Sequence, residues 1–186
     1  ENRKRIKINK NPKKIDDKYS EIIVNKLPFN LTKSQKDVLT EIELDLLSNK
    51  RMFRIIQGDV GSGKTIVSLL SIIKVIRSGY QCALMGPTEI LAKQHYDLSK
   101  KIFQSINLKI DFLTGKTEYK KRREILENLA SGKTKLLIGT HALFQKKINF
   151  YKLGLVVIDE QHKFGVKQRS ELAKKGGNDC DVLLMS

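Results

Sequence analysis

Short, mostly apolar runs alternate along the chain with longer stretches in which apolar side chains recur every three or four positions. Such runs, without strict polar alternation, are typical of strands that are buried on both faces of a parallel sheet. They predict strands at residues 53–56, 81–85, 110–113, 135–138, 153–158 and 182–185. The periodic stretches predict helices at residues 64–76, 90–103 and 119–129. This order predicts an α/β fold of three layers, with helices on both faces of a mostly parallel sheet.

The chain begins with a basic segment of a different character. Residues 1–14 hold seven Lys or Arg against one Glu, with Ile6 and Ile8 as the only sizeable apolar side chains. This composition predicts a solvated arm or linker over residues 1–20, with a DNA-contacting arm as the alternative. We therefore assign residues 1–26 to a basic linker or arm and residues 27–186 to the globular domain.

The two ends of the globular part differ in character. Near its start, Thr32 is a good N-cap for a helix, in which apolar side chains follow helical spacing at Val38, Leu39, Ile42, Leu46 and Leu47. At the other end the chain stops at Ser186, directly after a strand. We therefore expect it to be a fragment of a longer protein.

Composition narrows the function classes. Of the 186 residues, 40% are hydrophobic, which is enough for a buried core and excludes a wholly disordered chain. No apolar run is long enough to cross a bilayer and none follows the basic N-terminus, so neither a membrane helix nor a secretory signal is expected. Cys82 and Cys180 are too few for a disulfide framework and lack zinc-site spacing, which predicts buried, reduced thiols.

The net charge of +16 raises the question of a polyanionic partner. Nucleic acid is the usual partner of so basic a protein, although a lysine-rich composition without binding explains the charge equally well. Aromatic residues make up only 6% and tryptophan is absent, which argues against a single-strand binder that stacks on bases. Charge alone therefore leaves nucleic-acid binding open.

A glycine-rich segment follows the first strand and opens the first long helix. It matches the pattern G-x-x-x-x-G-K-[ST] in full. Its glycines let backbone N–H groups surround phosphate oxygens, and the helix N-terminus adds a positive dipole end. The pattern predicts that the lysine reaches the β- and γ-phosphates of a nucleotide and that the threonine hydroxyl binds Mg²⁺. The predicted nucleotide-binding residues are Gly58, Asp59, Val60, Gly61, Ser62, Gly63, Lys64 and Thr65.

An acidic pair ends the longest apolar strand. Asp159 follows residues 153–158 at the carboxyl end, where α/β proteins bind ligands, and Glu160 is next to it. With the glycine-rich loop, this predicts a nucleoside triphosphatase in which Asp159 and Thr65 bind Mg²⁺ and Glu160 orients and deprotonates the attacking water. Lys64, Asp159 and Glu160 are the predicted catalytic residues. A P-loop kinase and a nucleotide-binding module without motor activity remain alternatives, which the adjacent Asp-Glu pair disfavours.

Further short strings are similar, in order, to the motifs of superfamily 2 helicases. Motif II of the DExH type is matched by Asp159-Glu160-Gln161-His162. Motif Ia is matched by residues 87–92, motif Ib by Thr114-Gly115, a further DNA-contact motif by Gly139-Thr140-His141, and a Q-type motif by Leu31-Thr32 with Gln35, behind Phe29. Residues 184–186 resemble the first part of motif III, at which the chain is cut.

Longer strings resemble one branch of this superfamily, the RecG family of bacterial branch-migrating DNA helicases. The resemblance extends over residues 27–186 and is carried by Q-G-D-V-G-S-G-K-T at 57–65, G-T-H-A-L-F-Q at 139–145 and V-I-D-E-Q-H at 157–162. Lys163 departs from the pattern, which has an arginine there; the charge is kept but the bidentate geometry is lost. The Mfd family of transcription-repair coupling translocases shares some strings. An Mfd-like or other superfamily 2 motor, RNA helicases included, is therefore the alternative.

The resemblance implies a RecA-like P-loop domain, the first of two motor domains, that uses ATP with Mg²⁺. It implies a full-length protein that hydrolyses ATP to move on duplex DNA and remodels stalled forks and Holliday junctions in repair and recombination, in the bacterial cytoplasm at the nucleoid. The same full-length chain is expected to hold a second RecA-like domain with an arginine finger and a wedge domain that splits strands. This chain alone is therefore expected to show almost no ATP turnover.

The resemblance also implies roles for single residues. Gln35 would read the adenine edge and Phe29 would pack on the base. Gln161 and His162 would couple the ATP site to DNA. DNA phosphates would be contacted by Pro87, Thr88, Thr114, Gly115, Gly139, Thr140 and His141.

Basic residues are concentrated around these DNA-contact motifs. Residues 93–147 hold thirteen Lys or Arg against five Asp or Glu. Among them is a cluster that is either a DNA contact or a solvated helix face, formed by Lys120, Lys121, Arg122 and Arg123. In the same region, His95 is either a helix-surface residue or part of motif Ia.

Overall fold

Within residues 8–16, 18–160 and 174–186, which the computed structural model describes, six strands form one parallel sheet. The strands are β1 (Phe53–Ile56), β2 (Gln81–Met85), β3 (Ile110–Leu113), β4 (Leu136–Gly139), β5 (Leu153–Ile158) and β6 (Asp181–Met185). Their order across the sheet is β1-β6-β5-β2-β4-β3, and every neighbouring pair is parallel. The predicted α/β fold is confirmed.

Helices cover both faces of this sheet. They are α1 (Lys18–Val24), α2 (Lys33–Leu47), α3 (Lys64–Arg77), α4 (Glu89–Ile102) and α5 (Tyr119–Ala130), with short 3₁₀ turns at Gln104–Ile106, His141–Phe144 and Gly177–Asp179. Alternate strand side chains point to opposite faces, so that Leu84 and Val157 join a core shared with α3 and α4. Ala83 and Val156 join a second core, shared with α5. No helix in the described ranges is long and apolar enough to span a membrane.

Burial follows the position of each strand in the sheet. All side chains of β2, β4, β5 and β6 are buried, as expected where helices cover both faces. β1 is an edge strand, in which Phe53 and Ile55 keep 62% and 44% of their surface exposed. The prediction of a buried strand over residues 53–56 is wrong for these two side chains, because the described elements do not cover their face of the edge.

The basic N-terminal segment is anchored to the domain. The side chains of Lys10 and Lys13 are fully buried, with their ammonium groups 2.7 and 2.5 Å from Oδ2 of Asp181. Oδ1 of the same carboxylate accepts a hydrogen bond from the Met52 amide at 2.7 Å. Behind this anchor, α1 places Ile23 in the core. The expectation of a solvated arm is therefore wrong at these positions, because composition does not reveal a buried partner far along the chain.

Both cysteines are buried and free, as predicted. Burial raises the pKa of the Cys180 thiol to about 12 and raises the pKa of the Cys82 thiol well above its usual value. Because the thiolate is the reactive form, neither cysteine is expected to be reactive in the folded protein.

Asp181→Asn should destabilise the chain by about 3–5 kcal/mol, because it leaves two buried ammonium groups without their carboxylate. Burial already lowers the pKa of Lys10, and its hydrogen bond to Asp181 opposes that shift. The measurement is the midpoint of urea unfolding, followed by circular dichroism. Asp97→Asn is the matched control, since it removes an exposed partner of Lys93 and should leave the midpoint unchanged. Equal midpoints for both variants would contradict anchoring through Asp181.

Candidate nucleotide and nucleic-acid site

Loops at the carboxyl ends of the strands bring most of the predicted site residues to one edge of the sheet. The phosphate loop, residues 58–65, follows β1, and Asp159 and Glu160 follow β5. β6 lies between these two strands. The predicted DNA-contact residues come at the ends of β2, β3 and β4, which are neighbours in the sheet. After the predicted residues that each part holds, we call the part over β1-β6-β5 the nucleotide half and the part over β2-β4-β3 the nucleic-acid half.

Backbone hydrogen bonds fix the phosphate loop at the end of the sheet. The Gly58 amide donates to the Ser186 carbonyl at 3.3 Å, and the Ser186 amide donates to the Ile56 carbonyl at 3.0 Å. Gly61 and Gly63 have φ angles of 82° and 84°, left-handed conformations that lead the chain into α3. The N-terminus of α3 therefore adjoins the loop, where its partial positive charge favours a phosphate group.

The Lys64 side chain folds back onto this loop. Its ammonium group donates hydrogen bonds to the carbonyl oxygens of Gly58 and Asp59, the latter at 2.9 Å. Thr65 is the second residue of α3, and Val60, near the tip of the loop, is fully exposed. A cation held against the loop backbone is placed to meet phosphate oxygens through charge-assisted hydrogen bonds.

Gln35 braces the phosphate loop from α2. Its side-chain oxygen accepts a hydrogen bond from the Thr32 amide at 2.9 Å, and Thr32 Oγ1 accepts one from the Gln35 amide at 3.2 Å, which completes a capping box. The side-chain nitrogen of Gln35 donates to the Ser62 carbonyl at 2.9 Å. The prediction of Thr32 as an N-cap is confirmed, and the brace is a role that motif reasoning missed. The adenine contact of Gln35 stays a prediction.

Phe29 lies between α1 and α2 and is 46% exposed. It lines an open cleft of about 660 Å³ together with Ile66 of α3 and Leu98 of α4. An exposed aromatic ring beside apolar side chains is a suitable surface for a flat ligand such as a base. The packing of Phe29 on adenine stays a prediction.

Asp159 is held by three contacts at the end of β5. Its amide donates to the Met85 carbonyl at 2.9 Å, and its Oδ1 accepts a hydrogen bond from the Glu160 amide at 2.8 Å. Its Oδ2 lies 2.7 Å from Nε2 of His95 on α4. His95 is only 7% exposed, so its interpretation as a helix-surface residue is wrong. No local pattern indicates this contact, because the two residues are 64 positions apart.

Glu160 has an unusual backbone conformation. Its φ angle is 49°, in the left-handed region that residues with a side chain rarely adopt. Such conformations cost about 1–3 kcal/mol and cluster at functional sites. This backbone strain agrees with a functional role for Glu160. Gln161, His162 and Lys163 lie outside the described residues, so the roles expected of them stay predictions.

The predicted DNA-contact residues divide by exposure. Those that are exposed or partly exposed, and so accessible to a phosphate, are Pro87, Thr88, Gly115 and His141. Those that are buried are Thr114, Gly139 and Thr140. Thr88 also caps α4, because its Oγ1 accepts a hydrogen bond from the Leu91 amide at 3.2 Å.

The three buried residues shape the loops of the nucleic-acid half. A side chain at Gly139 would collide with the Leu113 carbonyl oxygen on the neighbouring strand β3, so that only glycine fits there. Thr114 Oγ1 accepts a hydrogen bond from the Lys116 amide at 3.2 Å. The Thr140 hydroxyl is buried and has no partner among the residues that the structure describes. In this conformation the hydroxyl is not accessible to a phosphate, and the DNA contact of Thr140 stays a prediction.

Arg122 differs from its basic neighbours on α5. Its guanidinium donates to the Thr114 carbonyl at 3.4 Å and to the Gln145 side chain, which ties the loop after β3 to the loop after β4. Arg122 therefore has a structural role. The other three basic residues are exposed, and two of them pair with glutamates: Lys120, Lys121 (with Glu124) and Arg123 (with Glu127).

Glu89 links the start of α4 to the loop after β3. It lies within the motif Ia match but is not among the predicted DNA-contact residues. Its Oε2 lies 3.0 Å from Nζ of Lys116. The hydrogen bond from Lys116 lowers the pKa of the Glu89 carboxyl, and Thr114 and His141 act in the same direction. Glu89 therefore stays ionised at neutral pH and places a negative charge among the exposed DNA-contact residues.

A parallel sheet with a phosphate loop after its edge strand and an Asp-Glu pair after a central strand defines a P-loop motor domain of the helicase class. Residues 32–186 match the DEAD/DEAH box helicase family. The chain belongs to this family.

Its relatives narrow the resemblance to RecG. The ATP-dependent DNA helicase RecG of Synechocystis sp. is 51% identical over 91% of this chain, and that of Bacillus subtilis is 50% identical over 88%. The solved structure of RecG bound to a three-way DNA junction matches with a TM-score of 0.85 and 43% identity over 94% of this chain. The predicted resemblance to a RecG motor domain is confirmed, and the Mfd-like and RNA-helicase alternatives are not favoured.

This chain corresponds to a small part of each of these proteins. It spans 20% of the Synechocystis RecG, 24% of the Bacillus subtilis RecG and 23% of the chain in the solved structure.

Gly63→Ala should lower the affinity for ADP about tenfold or more, since the new Cβ would collide with the side-chain amide of Gln35 and a left-handed L-residue costs about 1–2 kcal/mol. Titration calorimetry with Mg·ADP measures the effect. Gly79→Ala is the matched control. Gly79 has a φ of 88° and open space around it, so this substitution carries the same backbone cost as Gly63→Ala but causes no collision. Native ADP affinity in Gly63→Ala would contradict the role of Gly63 in the phosphate loop.

Proposed function

We propose that this chain is the ATP-binding motor domain of a RecG-like DNA translocase. The intact protein would couple ATP hydrolysis to movement on duplex DNA and to the remodelling of stalled forks and Holliday junctions. The observation that carries the proposal is that the predicted nucleotide residues follow β1 and β5, while the predicted DNA-contact residues follow the adjoining strands β2, β4 and β3 at the same edge. It is supported by relatives that are ATP-dependent DNA helicases and by a RecG structure bound to a three-way DNA junction.

The nucleotide half offers the groups that Mg·ATP requires. The Thr65 hydroxyl and the Asp159 carboxylate are oxygen donors, which suit a Mg²⁺ ion that keeps several of its waters. The Lys64 ammonium group would give up its hydrogen bonds to the carbonyl oxygens of the loop and bind the β- and γ-phosphates instead. Glu160 would orient the attacking water and accept its proton.

ATP hydrolysis would also need a positively charged group from outside this chain segment, on the far side of the γ-phosphate. The transition state of phosphoryl transfer spreads negative charge over the equatorial oxygens of the γ-phosphate. This chain supplies the loop, the metal ligands and the base. An arginine from the second RecA-like domain of the intact protein would neutralise the remaining charge, a contribution typically worth about 10³–10⁵ in rate.

The nucleic-acid half suits phosphate contacts better than base reading. Thr88, Gly115 and His141 are exposed near strand ends, and they carry a hydroxyl, a backbone amide and an imidazole that could meet a phosphate. The basic surplus over residues 93–147 adds long-range attraction to a phosphate backbone. Contacts of this kind hold a duplex of any sequence, as a translocase requires. The wedge domain of the intact protein would split strands. The intact protein would work at the nucleoid in the bacterial cytoplasm.

Lys64→Ala and Glu160→Gln in the intact protein test the nucleotide site, because the first should impair nucleotide binding and the second should impair only turnover. Lys64→Ala should weaken Mg·ATP binding at least tenfold, because it removes a cation from the β- and γ-phosphates. Glu160→Gln should keep binding and lose turnover, because the amide keeps the shape of the side chain but cannot accept a proton. Calorimetry and DNA-stimulated phosphate release are the measurements. Native binding by Lys64→Ala or native turnover by Glu160→Gln would contradict the assignment.

Glu89→Gln should strengthen duplex binding by the intact protein, because it removes a negative charge and frees Lys116 for a phosphate. The slope of log K against log salt should steepen by about 0.9, the value for one additional neutralised phosphate. Fluorescence anisotropy with duplexes of two unrelated sequences measures both the slope and its independence of sequence. Glu124→Gln, which frees Lys121 on the exposed face of α5, is the control and should leave the slope unchanged. A native slope for Glu89→Gln would place the duplex away from Lys116, and a steeper slope for Glu124→Gln would make α5 a DNA contact as well.

A further inference from the structure

His95 and Asp159 form a buried contact between the two halves of the sheet edge. Nε2 of His95 lies 2.7 Å from Oδ2 of Asp159, and the two side chains are only 8% and 15% exposed. A carboxylate can only accept hydrogen bonds, so Nε2 of His95 carries a proton and donates a hydrogen bond to Oδ2 of Asp159. His95 belongs to α4, which follows β2 in the nucleic-acid half, whereas Asp159 ends β5 in the nucleotide half.

The position of the imidazole is set by α4. The Ser99 hydroxyl donates to the His95 carbonyl at 2.7 Å, one turn further along the helix. The helix begins at the Thr88 cap. Ala92 packs closely on Gly86, because a Cβ added to Gly86 would lie only 2.8 Å from the Ala92 amide nitrogen. The ring is therefore presented to Asp159 by a helix that is fixed at its start.

The contact completes the restraint of the Asp159 carboxylate. Oδ1 accepts the Glu160 amide at 2.8 Å and Oδ2 accepts the His95 ring, so rotation of the carboxylate would break one of these bonds. Each carboxylate oxygen has a further lone pair and can still bind a metal ion. Mg²⁺ demands near-ideal octahedral geometry, so the orientation of an oxygen ligand affects its affinity. Partners that orient a metal ligand typically contribute about 10–100-fold to metal affinity.

We propose that His95 is a positioning residue for Asp159, which holds the carboxylate in the orientation that receives the Mg²⁺ of a bound nucleotide. This inference rests on the proposed function, in which Asp159 is a metal ligand. It also gives the nucleic-acid half a direct hydrogen bond to the nucleotide half, through the helix that begins at Thr88.

The test compares His95→Leu, which removes the donor, with His95→Gln, whose side-chain amide donates from nearly the same reach as Nε2. ADP affinity of the intact protein is measured by calorimetry in EDTA and over a series of Mg²⁺ concentrations. His95→Leu should leave the affinity for metal-free ADP unchanged and raise the Mg²⁺ concentration for half-maximal effect about 10–100-fold. His95→Gln should need nearly the native Mg²⁺ concentration. Lys93→Met, on the exposed side of α4, is the control and should behave as the native protein.

Two results would overturn the inference alone. One is a native Mg²⁺ requirement in His95→Leu, and the other is an equal loss of ADP affinity with and without Mg²⁺, which marks a purely structural residue. If His95→Leu does not fold, His95→Asn replaces it, because its shorter amide falls short of Asp159; Asn and Gln with the same Mg²⁺ requirement would overturn the inference. Nucleotide binding by the native protein that is independent of Mg²⁺ would overturn the proposed function as well.

Discussion

The four central strands of this sheet have no exposed side chain, and this burial constrains where polar chemistry can lie. The side chains of these four strands are taken up by the layers on both faces, so phosphates and metal ions are met by the loops at the strand ends. These loops are held by backbone bonds that continue the pairing of the strands. Gly58 bonds to Ser186, Asp159 to Met85, and the Gly86 amide donates to the Gly139 carbonyl at 3.0 Å. These bonds join the end of β1 to the end of β6, and the ends of β5 and β4 to the end of β2.

Side chains then connect loops that the backbone leaves separate. Gln35 joins the start of α2 to the phosphate loop, Arg122 joins the loops after β3 and β4, and Glu89 joins α4 to the loop after β3 through Lys116. His95 is different, because among these contacts it is the one that crosses from the nucleic-acid half to the nucleotide half. The three others act within one half.

The sequence predicts those parts of the molecule that local pattern determines. Buried strands, the helix cap at Thr32 and the phosphate loop each depend on residues within a few positions of one another, and they are found where pattern places them. The features that the sequence did not predict join residues that lie far apart in the chain. Lys10 is 171 residues from Asp181, and His95 is 64 residues from Asp159, so neither local composition nor periodicity contains the partner. The exposure of Phe53 was missed for a related reason, since an apolar run does not state which strand forms the sheet edge.

β6 shows how a single strand can relate distant parts of this fold. Asp181, at its first position, holds the buried ammonium groups of Lys10 and Lys13, and Ser186, directly after its last position, is bonded to Gly58 of the phosphate loop. β6 also lies between β1 and β5, the strands that deliver the phosphate loop and Asp159. Because buried ion pairs are costly to break by removal of one partner, residues 8–16 cannot leave the sheet without a large loss of stability. The Lys10 and Lys13 amides also donate to the carbonyl oxygens of Asn49 and Leu46, at and just after the end of α2. Residues 8–16 are therefore attached both to β6 and to the end of α2, and they must move with the sheet.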